Sequence, residues 1–498
     1  MTAPTLAIHV DFDDDGLFET GVEDVTNYVF GTITINRGRD QVRALAPPMA
    51  PVVTFTLDNG DGRFWPDNSS SPIYPNARDP HLLRVRATHT AVNYDQIVGL
   101  ITEWKLDYDA ELVHVTAVGG YQALAGKTVT TQLYKAIRTG TAIGHILDAI
   151  GWPTGAAARQ IDLGATVMPW WWETNGGAFE ALMRLVACEG PPARFDITAD
   201  GKFLFEDRHN RLVNSASSST TLRDTGAEPL MTRPFTVDAG WDSVINDVTI
   251  PTEPLSFDEI VREVVGVWTG SQLVVGGDPP VIVTVNLDAP CPRIVTETLT
   301  VGNGRLVKHG LGTPTGQVLD PVKAQTVQVQ LSSPAFEPDS WVTELTIVGF
   351  PLTVTEQVDV TFTDATSIAA YGSRGIPGGL DAPFLDASTA AAIAQTYVQH
   401  YKTPLAQVHV VVDGADNTRL LQQLSRDVSD RVTVVASEPG INRAYFIEQI
   451  TQEFELPLPW TTTTFGLEET PTPLVASSEV FILDSSAQGR LNQHRLGL

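Results

Sequence analysis

From Val53 to Asp58 apolar and polar residues alternate without a break, and the alternation stops at two successive turn dipeptides, Asn59-Gly60 and Asp61-Gly62. Side chains of an extended chain leave on opposite faces with a period of two. Val53, Phe55 and Leu57 therefore share one face, and Thr54, Thr56 and Asp58 share the other. The pattern is the one a half-buried strand requires. Asn59, Gly60, Asp61 and Gly62 all tolerate positive φ, so a tight reversal is expected to follow the strand. Phe64-Trp65-Pro66, with Pro72 and Pro75 beyond it, predicts a rigid excursion that lays aromatic surface over the end of a barrel.

Similar alternation, punctuated by Gly, Asn, Asp and Pro, recurs at 82–87, 96–105 and 112–117, so residues 1–121 read as one antiparallel β-barrel or sandwich. The period then changes. Ile143, Ile146, Leu147 and Ile150 fall at helical spacing, with Thr139 or Thr141 to cap the start, Gly151 to end the helix and Pro153 to stop it. Phe179, Leu182, Met183 and Val186 mark the apolar face of a second helix, with Thr174 or Asn175 as its cap. A hairpin around Asp200-Gly201 follows, and residues 122–233 read as an α+β domain. Ala390, Ile393, Ala394, Tyr397, Val398 and Tyr401 define a third helix over 387–403, capped by Asp386 or Ser388 and stopped by Pro404. With strands at 241–250, 407–412, 431–435 and 444–453 it completes a second barrel-like domain, 234–263 and 351–456. Residues 264–350 read as an inserted β domain, and 457–498 as a closing strand and tail. The fold class is mainly β with α+β insertions: two β-barrel-like domains plus small mixed inserted domains.

Asp and Glu outnumber Lys and Arg by 59 to 32, a formal charge of −27, which argues against a surface that grips nucleic acid. A solubilising exterior and an acidic lumen both remain open. The two cysteines, Cys188 and Cys291, lie in different regions and imply no disulfide framework, consistent with assembly in a reducing cytoplasm. No signal peptide is visible at the N-terminus. No apolar run approaches the ~18 residues of a membrane span, so no membrane anchor is expected.

Familiar chemistry is mostly missing. Gly126-Lys127-Thr128 lacks the first glycine of a phosphate loop, since Tyr121 stands there. The ten histidines are scattered singly, and no Gly-x-Ser-x-Gly elbow occurs. One ligand pattern survives. Asp11, Asp13 and Asp15 alternate before Gly16, as in the opening of a calcium loop, but the place of the closing glutamate holds Val22, and Glu23 comes one residue late. A weak divalent site and a solvated acidic turn are the two readings, and the turn is favoured. No other cofactor is expected. Trp170-Trp171-Trp172 suggests glycan stacking or packing beneath the helices. Packing is preferred, because neighbours on a strand face opposite sides.

Taken in order, Glu23-Asp-Val-Thr26, Arg37-Gly-Arg39, the segment from Thr54 to Pro75 and Tyr94-Asp-Gln-Ile-Val-Gly99 resemble the N-terminal domain of siphophage minor tail and tail-tip baseplate hub proteins. The helix, Gly-Trp-Pro, tryptophan strand, helix and hairpin order resembles the same family, which is related to contractile-tail hubs. So do Trp460 to Glu468, Phe481-Ile-Leu-Asp484 and the run from Gly489 to Leu496. The resemblance implies a non-enzymatic homotrimer in the virion tail tip whose two hub domains per chain make a pseudo-sixfold ring. It implies the tail tube, distal tail protein, tape measure protein and receptor-binding tip proteins as partners, with phage DNA passing unbound. A peripheral protein that binds host glycans is the alternative, and a cell-wall hydrolase is a third reading.

Overall fold

The computed structural model describes residues 4–470 except 40–44, 79, 214–219, 226–229, 232–235, 239, 296–298, 302–304, 320–322, 415, 438–439 and 457–459. Six strands build the N-terminal part: β1 (Thr5–Asp11), β2 (Val29–Arg39), β3 (Pro48–Asp58), β4 (Leu82–His89), β5 (Val92–Asp107) and β6 (Leu112–Gly119). They pair antiparallel in the order β1-β4-β5-β6-β3-β2. Val53, Phe55 and Leu57 of β3 are buried together with Leu6, Ile8 and Val10 of β1 and Val113, Val115 and Ala117 of β6. All six strands feed this one core, because the alternation in each turns its apolar side chains inward.

The chain is mainly β with mixed α and β insertions, but among the described residues no sheet closes into a barrel. The expected pair of barrels is instead one twelve-stranded sheet. Its two halves join where β2 pairs with the long strand Ile441–Glu455, from Thr32 opposite Glu455 to Gly38 opposite Gln449. The first part of that strand pairs with Arg431–Ala436, and its stretch from Tyr445 to Glu455 pairs with Trp460–Glu469. Fifteen residues are long enough to serve both halves, which leaves the sheet continuous while each half keeps its own core.

Six helices occur among the described residues: α1 (Thr139–Ala149), α2 (Ala178–Glu189), α3 (Arg208–Val213), α4 (Ala365–Tyr371), α5 (Ala387–Tyr401) and α6 (Asn417–Ser425). In α5 the residues at helical spacing, Ala390 through Tyr401, are the buried ones, and Asp386 accepts from the Thr389 amide at its start. The other two expected caps fail. α1 and α2 have no side-chain cap, and the Thr139 hydroxyl donates instead to buried Glu189 at 2.6 Å. The face of α2 is also rotated from the one expected. Ala178, Ala181, Leu182, Leu185 and Cys188 are fully buried, while Phe179, Met183 and Val186 are only half-buried.

α1, α2 and α5 share a core with Trp171 and with the ribbon Asp247–Thr252 paired to Val358–Thr363. That ribbon and the short pair Leu255–Phe257 with Leu352–Val354 lead to two small facing sheets between residues 263 and 350, which have a core of their own. Among the described residues no helix is long and apolar enough to cross a membrane. The expected tail residues Phe481 to Asp484 and Gly489 to Leu496 lie outside the described residues.

Candidate functional site

Asp11, Asp13 and Asp15 do converge, each offering a carboxylate oxygen within 4.8 Å of the others. The loop largely consumes them itself. Asp11 accepts from the Asp15 and Gly16 amides at 3.2 and 2.9 Å, and Asp15 accepts from the Leu17 amide at 2.8 Å. Glu23, out of step in the sequence, folds back onto the loop and accepts from the Phe12 and Glu19 amides. Burial pushes the carboxyls of Asp11 and Glu23 up, and Asp11 and Asp13 add to the effect on Glu23. Asp13 and Asp15 stay exposed. The geometry matches an Asx-turned loop that could offer a cation two or three oxygens, well short of the six to eight that calcium takes.

Asn59, Gly60, Asp61 and Gly62 begin a staircase of successive four-residue β-turns. The amides of Gly62, Trp65, Asn68, Ser71 and Tyr74 each donate to the carbonyl three residues back. No hairpin with the next strand results, because β3 pairs with β2 and β6 whereas β4 pairs with β1 and β5. Asn59 holds the start by accepting from the Phe64 amide at 2.7 Å. Of the two glycines only Gly62 has positive φ, +72°. Phe64 is fully buried, and an edge-to-face chain of Phe12, Trp104, Phe64 and Tyr28 covers this end of the core.

The tryptophan triplet is dispersed by the alternation of its strand. Trp171 is fully buried and stacks on Tyr134, while Trp170 meets Phe257 and Trp172 meets Phe384. No shared aromatic platform forms, which removes the feature that favoured glycan stacking.

The constellation that sequence reading missed is a buried charge cluster where the two halves of the sheet meet the helical layer. Glu448, 1% exposed, accepts from Arg39 Nε at 2.9 Å, from Arg194 Nη1 at 2.7 Å and from Arg211. Arg39 also pairs with Glu468, whose carboxylate accepts from the Tyr401 hydroxyl at 3.3 Å, and Arg194 pairs with Asp196. Burial alone would raise the Glu448 carboxyl, but Arg211, Arg39 and Arg194 together outweigh it and hold it at about 2. Next to the cluster, burial and the neighbouring Arg39 and Arg211 push the His400 imidazole down to about 3, so it is neutral. Three guanidiniums face three carboxylates, drawn from β2, the hairpin Arg194–Ile197 with Phe203–Glu206, α3 and the strands Ile441–Glu455 and Trp460–Glu469. Arg37-Gly-Arg39 was a visible signal, but the partners of Arg39, Glu448 and Glu468, lie about four hundred residues away in sequence.

Above this cluster opens a cleft of about 420 Å³. Its floor includes Arg39, Arg194, Arg211, Glu448 and Glu468, and one wall is the half-buried face of α2. Its basic and acidic groups balance, and nothing in the set forms a nucleophile–base pair.

No protein-family model and no curated protein sequence matches the chain. Its fold does match solved structures. A tail protein from Neisseria meningitidis MC58 superposes with a TM-score of 0.50 at 11% identity, covering 94% of this chain and 97% of the other. The tail protein of prophage MuSo2 from Shewanella oneidensis gives 0.48 at 10% identity, covering 95% and 100%. A prophage tail protein from Listeria monocytogenes EGD-e gives 0.43 at 10% identity, covering 94% and 95%. At these identities the likeness is one of fold.

Proposed function

We propose that this chain is a non-enzymatic structural component of a bacteriophage tail, placed at the tail tip as a baseplate hub. The observation that carries the reading is the end-to-end match of fold to the Neisseria tail protein, across 94% of one chain and 97% of the other. Fold by itself does not dictate function. Here it agrees with motifs spread along the chain from Glu23 to Glu468 and with a site built from balanced buried ion pairs.

On this reading three copies close a ring in the virion. The ring joins the tail tube and distal tail protein on one side to receptor-binding tip proteins on the other, with the tape measure protein and then the DNA passing through it. The acidic excess of the chain would repel phosphate along such a channel, so DNA would slide without specific binding. Assembly would take place in the host cytoplasm.

Mass measurement of the purified protein, alone and mixed with its neighbouring tail proteins, tests the ring, and a mass of three chains is expected. A monomer under every condition would refute it. Immunogold labelling of virions tests the location, and label along the capsid or absent from the tip would place the protein elsewhere.

A further inference from the structure

Two aromatic rings stack on the surface where the staircase after β3 meets the hairpin between β5 and β6. Trp65 and Tyr108 lie with ring centroids 4.2 Å apart and planes inclined by only 5°. Trp65 rests on Gly62, where a β-carbon would stand 2.8 Å from its Cδ1, and the Asn59 amide donates to the Glu111 carbonyl at 2.8 Å. The turn and the hairpin are thus one unit. Tyr108 is 64% exposed. One face of its ring lies against Trp65, which leaves the opposite face to solvent.

The surroundings of that face carry one sign of charge. Asp58, Asp61, Asp67, Asp109 and Glu111 are exposed, and Asp107 is half-buried. Asp58 and Glu111 converge on Gly60, whose β-carbon would have their carboxylate oxygens at 3.4 and 3.6 Å. Asp58, Asp61 and Asp107 accept only from amides of their own loops, those of Gly60, Arg63 and Ala110. Among the described residues no cation pairs with any of these carboxylates. Arg63 turns away to the Tyr28 hydroxyl and the Val22 carbonyl, which leaves exposed Lys105 of β5 against the acidic excess.

A flat π face ringed by unpaired carboxylates suits a guanidinium. The ring quadrupole attracts the cation, the planar group stacks, and the carboxylates accept its N–H groups. The chain makes the same contact within itself, with Arg211 over Phe446 at 4.1 Å and Arg374 over Trp241 at 4.3 Å. Nucleic acid and anionic lipid would be repelled here. A second copy is a poor source of the cation, because each copy carries a formal charge of −27. We propose that this surface docks an arginine side chain presented by a basic segment of a different protein, with the guanidinium stacked on the open face of Tyr108 between the carboxylates of the turn and the hairpin. The inference goes beyond the tail role and does not depend on it.

Fluorescence anisotropy of a labelled Gly-Arg-Gly-Arg-Gly peptide, titrated with the full-length protein at about 0.15 M salt, tests the contact beside a peptide with glutamine in place of both arginines. The unaltered protein should prefer the arginine peptide. Tyr108→Ala leaves the charge unchanged but removes the face, and should weaken binding about fivefold, whereas Tyr108→Phe keeps the face and should bind as the unaltered protein does. Asp109→Asn with Glu111→Gln should weaken binding at least as much. Glu356→Gln with Asp359→Asn removes the same charge at exposed positions of another ribbon and should leave binding nearly unchanged. A melting curve shows that each variant is folded, and if Tyr108→Ala is not, the two acid pairs decide between them. Binding that survives in folded Tyr108→Ala, or that both acid pairs weaken alike, would be general attraction to an acidic chain and would overturn the proposal. Equal binding of the two peptides by the unaltered protein would overturn it as well.

Discussion

A β-carbon at Gly38 would stand 2.1 Å from the carbonyl oxygen of Glu448. The close approach occurs where β2 meets the strand Ile441–Glu455, the pairing that joins the two halves of the sheet among the described residues, and Gly38 has φ of +103° there. Gly38→Ala must therefore both strain the backbone and part the seam. We expect a loss of about 3 kcal/mol or more in urea unfolding. Wild-type stability would mean that the seam tolerates a side chain.

Glu448 on that strand and His400 on α5 both contribute to the pH dependence of stability. In Glu448 the folded carboxyl lies at about 2 against an ordinary 4.5. Its contribution is complete above the unfolded value and is lost as pH falls through 4.5 toward 2, an effect on the order of 3 kcal/mol. His400 is a base held down at about 3 from 6.5, so the unfolded chain takes up its proton first. Stability is then lost as pH falls from 6.5 toward 3. Both act in one direction. His400→Gln should flatten the upper part of the stability curve, read by urea midpoints between pH 7 and 4, and a curve parallel to wild type would show that His400 does not titrate in that window.

Glu448→Gln at pH 7 tests the cluster itself. Removing its central charge leaves Arg39, Arg194 and Arg211 buried with less negative charge than they need, which should cost about 3–5 kcal/mol. Replacing an exposed acid such as Glu103 is the control, expected to change stability by less than about 0.5 kcal/mol.

The turn after β3 predicts an asymmetry between its two glycines. A side chain at Gly62 meets Trp65 Cδ1 at 2.8 Å in a left-handed conformation, whereas one at Gly60 finds only the carboxylate tips of Asp58 at 3.4 Å and Glu111 at 3.6 Å. Gly62→Val should lower stability by about 2 kcal/mol, and Gly60→Val by well under 1 kcal/mol. Equal shifts in Tm would contradict the geometry.

Calorimetry with calcium should show binding no tighter than the millimolar range, because the loop backbone already occupies Asp11 and Glu23. Asp13→Ala, at an exposed position, should abolish that heat without moving Tm. Micromolar binding, or heat that survives the substitution, would place a cation elsewhere.

Local periodicity was readable wherever one face of an element alone meets a core. The alternation of Val53, Phe55 and Leu57 and the spacing from Ala390 to Tyr401 each determine burial from residue order, since side-chain direction follows backbone geometry. The composition likewise marked a charged globular protein, and Asp386 marked the start of its helix.

Relations between distant segments were settled only in the folded molecule. α2 carries apolar residues on two sides, so its sequence could not say which side is core and which lines a cleft. Thr139, a plausible helix cap, donates its hydroxyl to buried Glu189 fifty residues away, while the Thr139 and Gly140 amides donate to the carbonyls of Thr166 and Leu163. The Arg39–Glu448 pair spans more than four hundred residues, and neither residue belongs to a local pattern. Whether β strands close into two barrels or run on as one sheet depends on which edge meets which, and that choice belongs to the long strand Ile441–Glu455 and to the space left at Gly38.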